Sequence, residues 1–357
     1  MGSEWQHIQN ISDKGYPFVV YSVPGSSEFR AFYQTDLKTH TTSDLNVSGF
    51  VMAPFSQGRP MIYIPAEHQL SFSSTDLPEQ TGSNTINLEV VTDLSAQKEA
   101  HMFLVKRAID QIRNSELKKV VVSRRIDFRS DEVAPLQLFQ RLRTAYPAAM
   151  VYCWYHPQTG YWMGATPETL MNIEGNKITT MSLAGTQTFN GTEKVHWGNK
   201  EIEEQALVTE AILEALKPFA DSPEKDEVAT VRAGNLLHLR TMVSARFDPH
   251  RVSPGELARA LHPTPAVGGL PAKAAVDFLD RHENYDRSYY TGYFGEINLG
   301  ENENRKSRLF VNLRCCCYRD GLLSLYAGGG ITQDSDPERE WQETENKAET
   351  ILRVLRQ

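Results

Sequence analysis

The strand-like runs of this chain come in adjacent pairs, and that pairing limits the fold more than any other feature. MVYCWYH at 150–156 and YWMGAT at 161–166 flank the turn-like PQTG, and LMNIEG is followed at once by NKITTMSL. Two β-prone runs joined by a few turn residues form a hairpin, which makes antiparallel neighbours; parallel neighbours need a crossover of a dozen residues or more. Helix feeds strand directly in one place. SAQKEAHMFLVKRAIDQIRNSE, Ser95 to Glu116, has apolar residues at helical spacing behind a serine suited to cap it, and KKVVVSRR, Lys118 to Arg125, follows as a β-branched strand. NKEIEEQALVTEAILEALKPF, from Asn199 to Phe219, is amphipathic, with Asn199 as the expected cap and Pro218 near its end. SPGELARAL carries a capping box, Ser253 with Glu256, and Pro254 at the first helical position. YYTGYFGEINL, RLFVNLRCCCY and LLSLYAGGG read as further strands, and a last helix is expected from about Asp336 to Leu355. Hairpins outnumber strand–helix–strand units, so the expected class is α+β with antiparallel sheets, not a doubly wound parallel sheet.

No internal repeat or low-complexity linker divides the 357 residues, which are enough to bury a large core. One domain over 1–357 is expected. Within it 1–94, with short pieces such as PFVVYSV and PMIYIPA, is the least informative part. A net charge of −8 argues against coating nucleic acid or an anionic membrane, although a small anion needs only a local cluster of cations. No run approaches eighteen apolar residues and the start lacks a basic-then-apolar leader, so neither membrane span nor export signal is expected. Gln6 stands where a myristoylation signal requires Ser or Thr. Of four cysteines three are consecutive, Cys315 to Cys317, which suits a reducing, cytoplasmic setting and not a disulfide framework.

Several residues have chemical potential, each with a plain alternative. Glu201 with Glu204, and Glu340 with Glu343, are i,i+3 pairs on helical faces. Two such faces meeting would offer a hard cation such as magnesium up to four carboxylates, whereas each alone is an ordinary solvated face. Of Lys118 and Lys119 on adjacent strand positions, one points inward; a lysine drawn out of water gives up its proton more readily, while one at a strand end in water does nothing. Glu168, just after Pro167, can be presented to a cleft as a general acid or can be a simple turn residue. Arg314, on the strand LFVNLRCCC among apolar neighbours, needs an anionic partner, either a substrate carboxylate or an internal one. His262, in the rigid LHPTPAVGGLP connector, either contacts a ligand or ends a helix. YAGGG fits neither GxGxxG nor a P-loop, and the cysteine run lacks metal-ligand spacing.

Taken in order, KVVVSR from Lys119, GATPETL from Gly164, SLAGTQ from Ser182, KEIEEQALV from Lys200, HPTPAVGGLP from His262, LRC from Leu313 and YAGGGITQDSDPEREWQETENKAE from Tyr326 resemble the chorismate-utilising enzymes. The resemblance covers roughly 95–357. It implies one large domain of two antiparallel sheets packed as a sandwich, with helices outside. It implies Lys119 as general base and Glu168 as general acid. Glu204 and Glu343 fall on magnesium ligands, with Glu201 and Glu340 placed to hold metal-bound waters. Arg314, Tyr290 and Lys347 fall where substrate carboxylates are engaged, Gly185, Thr186 and Gly328 around the ring, and His262 at a further candidate contact. HPTPAVGG is closer to the isochorismate-forming branch, which makes water attack C2 of chorismate as the C4 hydroxyl leaves. Salicylate synthases share Lys119 and LAGT and are the main competitor; a non-catalytic chorismate binder is the alternative from another class. Anthranilate-type enzymes carry glutamine where Lys119 stands, and lysine-nucleophile aminodeoxychorismate synthases carry lysine at Ala184. No glutamine amidotransferase partner is therefore expected. Gly329 departs from the family's usual alanine, and Glu201 from its usual aspartate.

Overall fold

The computed structural model describes residues 3–73, 76–77, 86–300 and 305–356. In order these form α1 (Ser3–Asp13), β1 (Phe18–Ser22), β2 (Glu28–Tyr33), β3 (His40–Thr42), β4 (Gly49–Ala53), β5 (Met61–Pro65), β6 (Gln69–Ser73), β7 (Glu89–Val90), α2 (Leu94–Asn114) and β8 (Lys119–Arg129). Then come α3 (Pro135–Ala145), β9 (Met150–His156), β10 (Gly160–Thr166), β11 (Thr169–Glu174), β12 (Lys177–Thr188), α4 (Asn199–Leu216), β13 (Asp221–Lys225), β14 (Ala229–Ala233) and β15 (Leu236–Arg246). The chain closes with α5 (Pro254–Leu261), β16 (Gly269–Leu270), α6 (Ala272–His282), β17 (Tyr293–Leu299), β18 (Lys306–Val311), β19 (Cys315–Arg319), β20 (Leu322–Ile331) and α7 (Pro337–Leu355).

The strands make two sheets of ten. One runs β16-β8-β20-β19-β10-β9-β1-β2-β6 with β7 beside β8; the other runs β13-β15-β12-β11-β18-β17-β4-β5-β3 with β14 beside β15. Both expected hairpins form, β9 with β10 and β11 with β12. Each sheet takes strands from before residue 95.

Period-2 alternation builds the layers. On β1, Val19 and Tyr21 enter a core between the sheets, whereas Phe18 and Val20 face a core under the helices. On β4, Phe50 and Met52 join the inter-sheet core while Val51 and Ala53 face the opposite way. Strands buried on both faces read as continuous apolar runs, as FVVYS and GFVMA do.

Helix starts differ slightly from expectation. The α2 cap is Asp93, whose carboxylate accepts from the N–H groups of Ser95 and Ala96; Ser95 lies inside the helix. Gly198, not Asn199, holds the cap position of α4, which ends at Leu216 before Pro218. The Ser253–Glu256 capping box forms as expected, and Asp336 caps α7.

One expected strand is two. RLFVNLRCCCY breaks after Val311: β18 belongs to one sheet and β19 to the other, and Asn312, Leu313 and Arg314 carry the chain across. Arg314 therefore lies on a crossover and not on a strand, at φ +49°. Asn312 anchors the passage: its Oδ1 accepts from the Tyr152 hydroxyl at 2.6 Å and its Nδ2 donates to the Tyr289 carbonyl at 2.9 Å.

Candidate active site

A cleft opens beside this crossover, lined by Glu168, Gly185, Thr186, Glu204, Tyr290, Arg314, Gly328, Glu343 and Lys347 among others. β10 ends and β11 begins around Glu168, β12 brings Gly185 and Thr186, α4 brings Glu204, β20 brings Gly328, and α7 brings Glu343 and Lys347. Residues some 180 positions apart in sequence, Glu168 and Lys347, thus meet in one cleft.

Lys119, at the first position of β8, is 1 % exposed, and its Nζ lies 2.9 Å from Glu204 Oε1. This is a charge contact without hydrogen-bond alignment, since Nζ has no hydrogen-bond partner. Gly330, opposite Val121 on the neighbouring strand, makes the approach possible. A Cβ there would stand 2.8 Å from Glu204 Oε1 and 3.0 Å from Lys119 Cε.

Glu168 is 3 % exposed. Its Oε1 accepts a long hydrogen bond, 3.4 Å, from the Thr264 hydroxyl. Burial raises its pKa to about 7, with Lys119, Thr264, Lys347 and Arg314 only partly drawing it back. A carboxyl so poised carries a proton near neutrality and can deliver it.

Arg314 is half-buried with no carboxylate partner among the described residues, and its Nη1, itself out of contact with solvent, has no hydrogen bond. Its Nη2 lies 3.5 Å from Nε2 of His238, whose Nδ1 is 2.9 Å from the Gly185 carbonyl and 3.3 Å from the Thr186 hydroxyl. Burial, then Arg314, lowers the His238 pKa to about 3, so the ring is neutral. The Gly185 carbonyl places the proton on Nδ1 and leaves Nε2 to accept from the guanidinium. Gly185 itself sits at φ +71°, a conformation that favours glycine. Sequence reading missed His238, a lone histidine on a long strand with no motif around it.

Three carboxylates border the Gly329–Gly330 backbone, and a lysine holds each. Lys119 faces Glu204, Lys347 donates to Glu343 Oε1 at 2.6 Å, and Lys200 donates to Glu340 Oε1 at 2.8 Å. Burial would raise the Glu343 pKa, but Lys347 and Lys200 outweigh it and hold the carboxyl below its ordinary range. Burial and then Glu343 raise that of Glu340. Glu340 Oε2, on a side chain 2 % exposed, makes no well-formed hydrogen bond. It and Glu343 Oε1 lie 3.2 and 3.7 Å from where a Cβ on Gly329 would stand. Among the described residues no three His, Cys, Asp or Glu groups converge on one point. Glu201 turns back toward the start of α4, with Oε2 2.6 Å from a Cβ position on Gly198. The all-oxygen donor set and the orphaned Glu340 oxygen would suit a hard cation.

The remaining expected residues divide. Tyr290 lines the cleft, its ring stacked on Tyr326 at 5.2 Å, and Lys347 also donates to the Gly328 carbonyl at 2.8 Å. His262 lies outside the lining. It ends α5, and its Nε2 sits 2.9 Å from the carbonyl of Thr291, which does line the cleft. Of its two readings, the structure shows the helix end.

The family model described as chorismate binding enzyme matches residues 61–356. The chain belongs to this family. The match reaches into β5, well before position 95. The chain is 33% identical over 261 residues to the salicylate biosynthesis isochorismate synthase of Pseudomonas aeruginosa, an alignment covering 70% of this chain and 53% of that protein. It therefore spans about half the length of that relative. Against isochorismate synthase EntC of Escherichia coli it is 30% identical over 321 residues, 85% of this chain and 79% of the relative. The structure of MenF, the menaquinone-specific isochorismate synthase of Escherichia coli, superposes with a TM-score of 0.80 at 23% identity, over 96% of this chain and 89% of that one. Anthranilate synthase component I of Streptococcus pneumoniae follows with a TM-score of 0.71 at 17% identity, over 94% and 92%. These two likenesses show the family's α+β sandwich.

Proposed function

We propose that this chain is an isochorismate synthase, acting as one catalytic domain over 1–357 on chorismate with magnesium. The observation that carries the reading is a buried, proton-holding carboxyl, Glu168, in one cleft with Arg314, a guanidinium that has no carboxylate partner among the described residues, while the buried amine of Lys119 stands just behind the lining against Glu204. Chorismate is a dianion, and Arg314 and Lys347 meet its carboxylates with charge-assisted hydrogen bonds. Lys119 takes the proton from the water that bonds to C2. Glu168 gives its proton to the C4 hydroxyl, which leaves as water while the ring double bonds shift, so the proton and atom count closes. Gly185, Thr186, Gly328 and Tyr290 shape the ring subsite, and His262 supports it from behind through Thr291.

Magnesium would be held by Glu204 and Glu343, with Glu201 and Glu340 reaching it through water. It would supply positive charge against a substrate carboxylate. Strands from before residue 95 in both sheets support the single-domain reading. Four free cysteines suit a cytoplasmic protein, and no described helix is long and apolar enough to cross a membrane.

The test incubates the purified protein with chorismate and magnesium, with a chelated control, and follows products by proton NMR. Isochorismate in equilibrium with chorismate and no pyruvate supports the reading. Stoichiometric pyruvate with salicylate moves the chain to the salicylate synthase reading. Magnesium binding without turnover makes it a non-catalytic binder.

A further inference from the structure

A second cavity, of about 430 Å³, lies on the open edge of β8 under α2 and the end of α6. β16 pairs with β8 at Lys119–Val120 and β7 at Phe128–Arg129, so the edge between them has no strand beside it. Side chains satisfy that edge instead. The Ser123 N–H donates to Glu283 Oε1 at 2.7 Å, Gln97 Nε2 donates to the Arg125 carbonyl at 2.7 Å, and the Asp127 N–H donates to the Thr92 hydroxyl at 2.8 Å. The cavity stands where another strand would lie, yet its edge groups are engaged, so it cannot take a peptide strand and is open only to a small molecule.

The charges on its walls balance, with one exception. Arg124 pairs with Glu345, Arg125 with Asp127 at 3.1 Å, and Glu283 with Arg287 at 2.7 Å. Arg107 has no carboxylate among the described residues; its Nη1 lies 3.1 Å from His282 Nδ1, and its guanidinium sits over the Phe103 ring at 5.5 Å. Phe103 is 63 % exposed, unusual for a phenylalanine, and it lines the same cavity with Leu104. His101, six residues before Arg107 on α2, is 3 % exposed, and neither ring nitrogen has a hydrogen-bond partner.

We propose that this cavity is a second ligand site, separate from the chorismate cleft, for a small aromatic carboxylate. The carboxylate pairs with the Arg107 guanidinium, the ring lies against Phe103 and Leu104, and His101 supplies a buried donor. The site touches the chorismate cleft through one buried ion pair. Glu283 and Ser123 line the new cavity, and Arg287, bound to Glu283, donates to the carbonyls of Val121 at 2.5 Å and Val267 at 3.0 Å, both of which line the cleft.

Benzoate is the probe, titrated by calorimetry into the full chain, into Arg107→Gln and into Lys347→Met. The wild type is expected to bind benzoate, Arg107→Gln to bind it at least about tenfold more weakly, and Lys347→Met to bind it unchanged. Arg107 is at the surface, so its variant keeps the fold. Loss in Lys347→Met with retention in Arg107→Gln would put benzoate in the chorismate cleft and overturn the proposal, as would no binding to the wild type. Inorganic phosphate competing as well as benzoate would make this a plain anion site and refute the aromatic ligand class. The titration reads binding and not turnover, so this proposal and the isochorismate reading stand or fall separately.

Discussion

Two clusters of charge lie between the sheets, and they are finished to different degrees. At Glu296, 2 % exposed, both oxygens are taken: Oε1 by the Tyr21 hydroxyl at 2.5 Å and Arg30 at 3.0 Å, Oε2 by Arg308 at 3.0 Å. Tyr21 and Arg30 come from one sheet, Glu296 and Arg308 from the other, so this cluster clamps the sandwich. Around the cleft, by contrast, Arg314 Nη1 in the lining and Lys119 Nζ and Glu340 Oε2 behind it are buried without a hydrogen bond. Buried polar groups are nearly always satisfied, so a fully bonded network holds the structure, and a concentrated shortfall marks where another molecule completes it.

The difference breaks most visibly in rate. Lys119→Ala and Glu168→Gln are each expected to lower chorismate turnover by about 100- to 10,000-fold while far-UV circular dichroism stays native; wild-type rates in either would remove the acid–base assignment. Next comes pH. Because the folded-state pKa of Glu168 is raised to about 7 from an ordinary 4.5, the folded protein holds its proton more tightly than the unfolded chain. That stabilisation is complete below about 4.5 and is lost as pH rises through about 7. Turnover should fall over the same rise. Glu168→Gln, which cannot ionise, should gain on the wild type in denaturant melts at pH 8 by up to about 3 kcal/mol. A parallel pH dependence of stability in the two proteins would count against a buried acid.

In the clamp the expected losses are of stability alone. Glu296→Gln should cost about 2–3 kcal/mol, moderated because Arg30 and Arg308 are partly solvated, with kcat of the folded protein unchanged. A fall in kcat at full folding would merge the two clusters into one functional unit. Arg314→Ala should do the reverse, raising the KM for chorismate about tenfold or more with a melting temperature equal to or above that of the wild type. A large drop in melting temperature would show that the guanidinium's contact with His238 holds the fold together rather than waiting for a ligand.

The sequence made the local parts of this architecture legible and hid the non-local ones. Hairpins such as 150–166 and the Ser253 box depend on neighbours a few residues apart, and they formed as read. The run LFVNLRCCC contains no Gly or Pro to mark its break, and only the demand that the chain change sheets turns Asn312–Arg314 into a crossover. The strands before residue 95 pair with partners up to some 245 positions away, as β4 does with β17, which no local pattern encodes. The candidate residues were legible because motifs carry them. His238 escaped because it acts through neighbours from other elements, the Gly185 carbonyl and Arg314.

The crossover at 312–314 ties specificity to the spacing of the sandwich. Asn312 is gripped by Tyr152 of one sheet and by the Tyr289 carbonyl just ahead of a strand of the other, and two residues later the chain presents Arg314 to the cleft. The arginine thus works as a gauge of the gap between the layers. Repacking aromatics such as Phe50 or Trp154, in the core between the sheets, would shift that gauge.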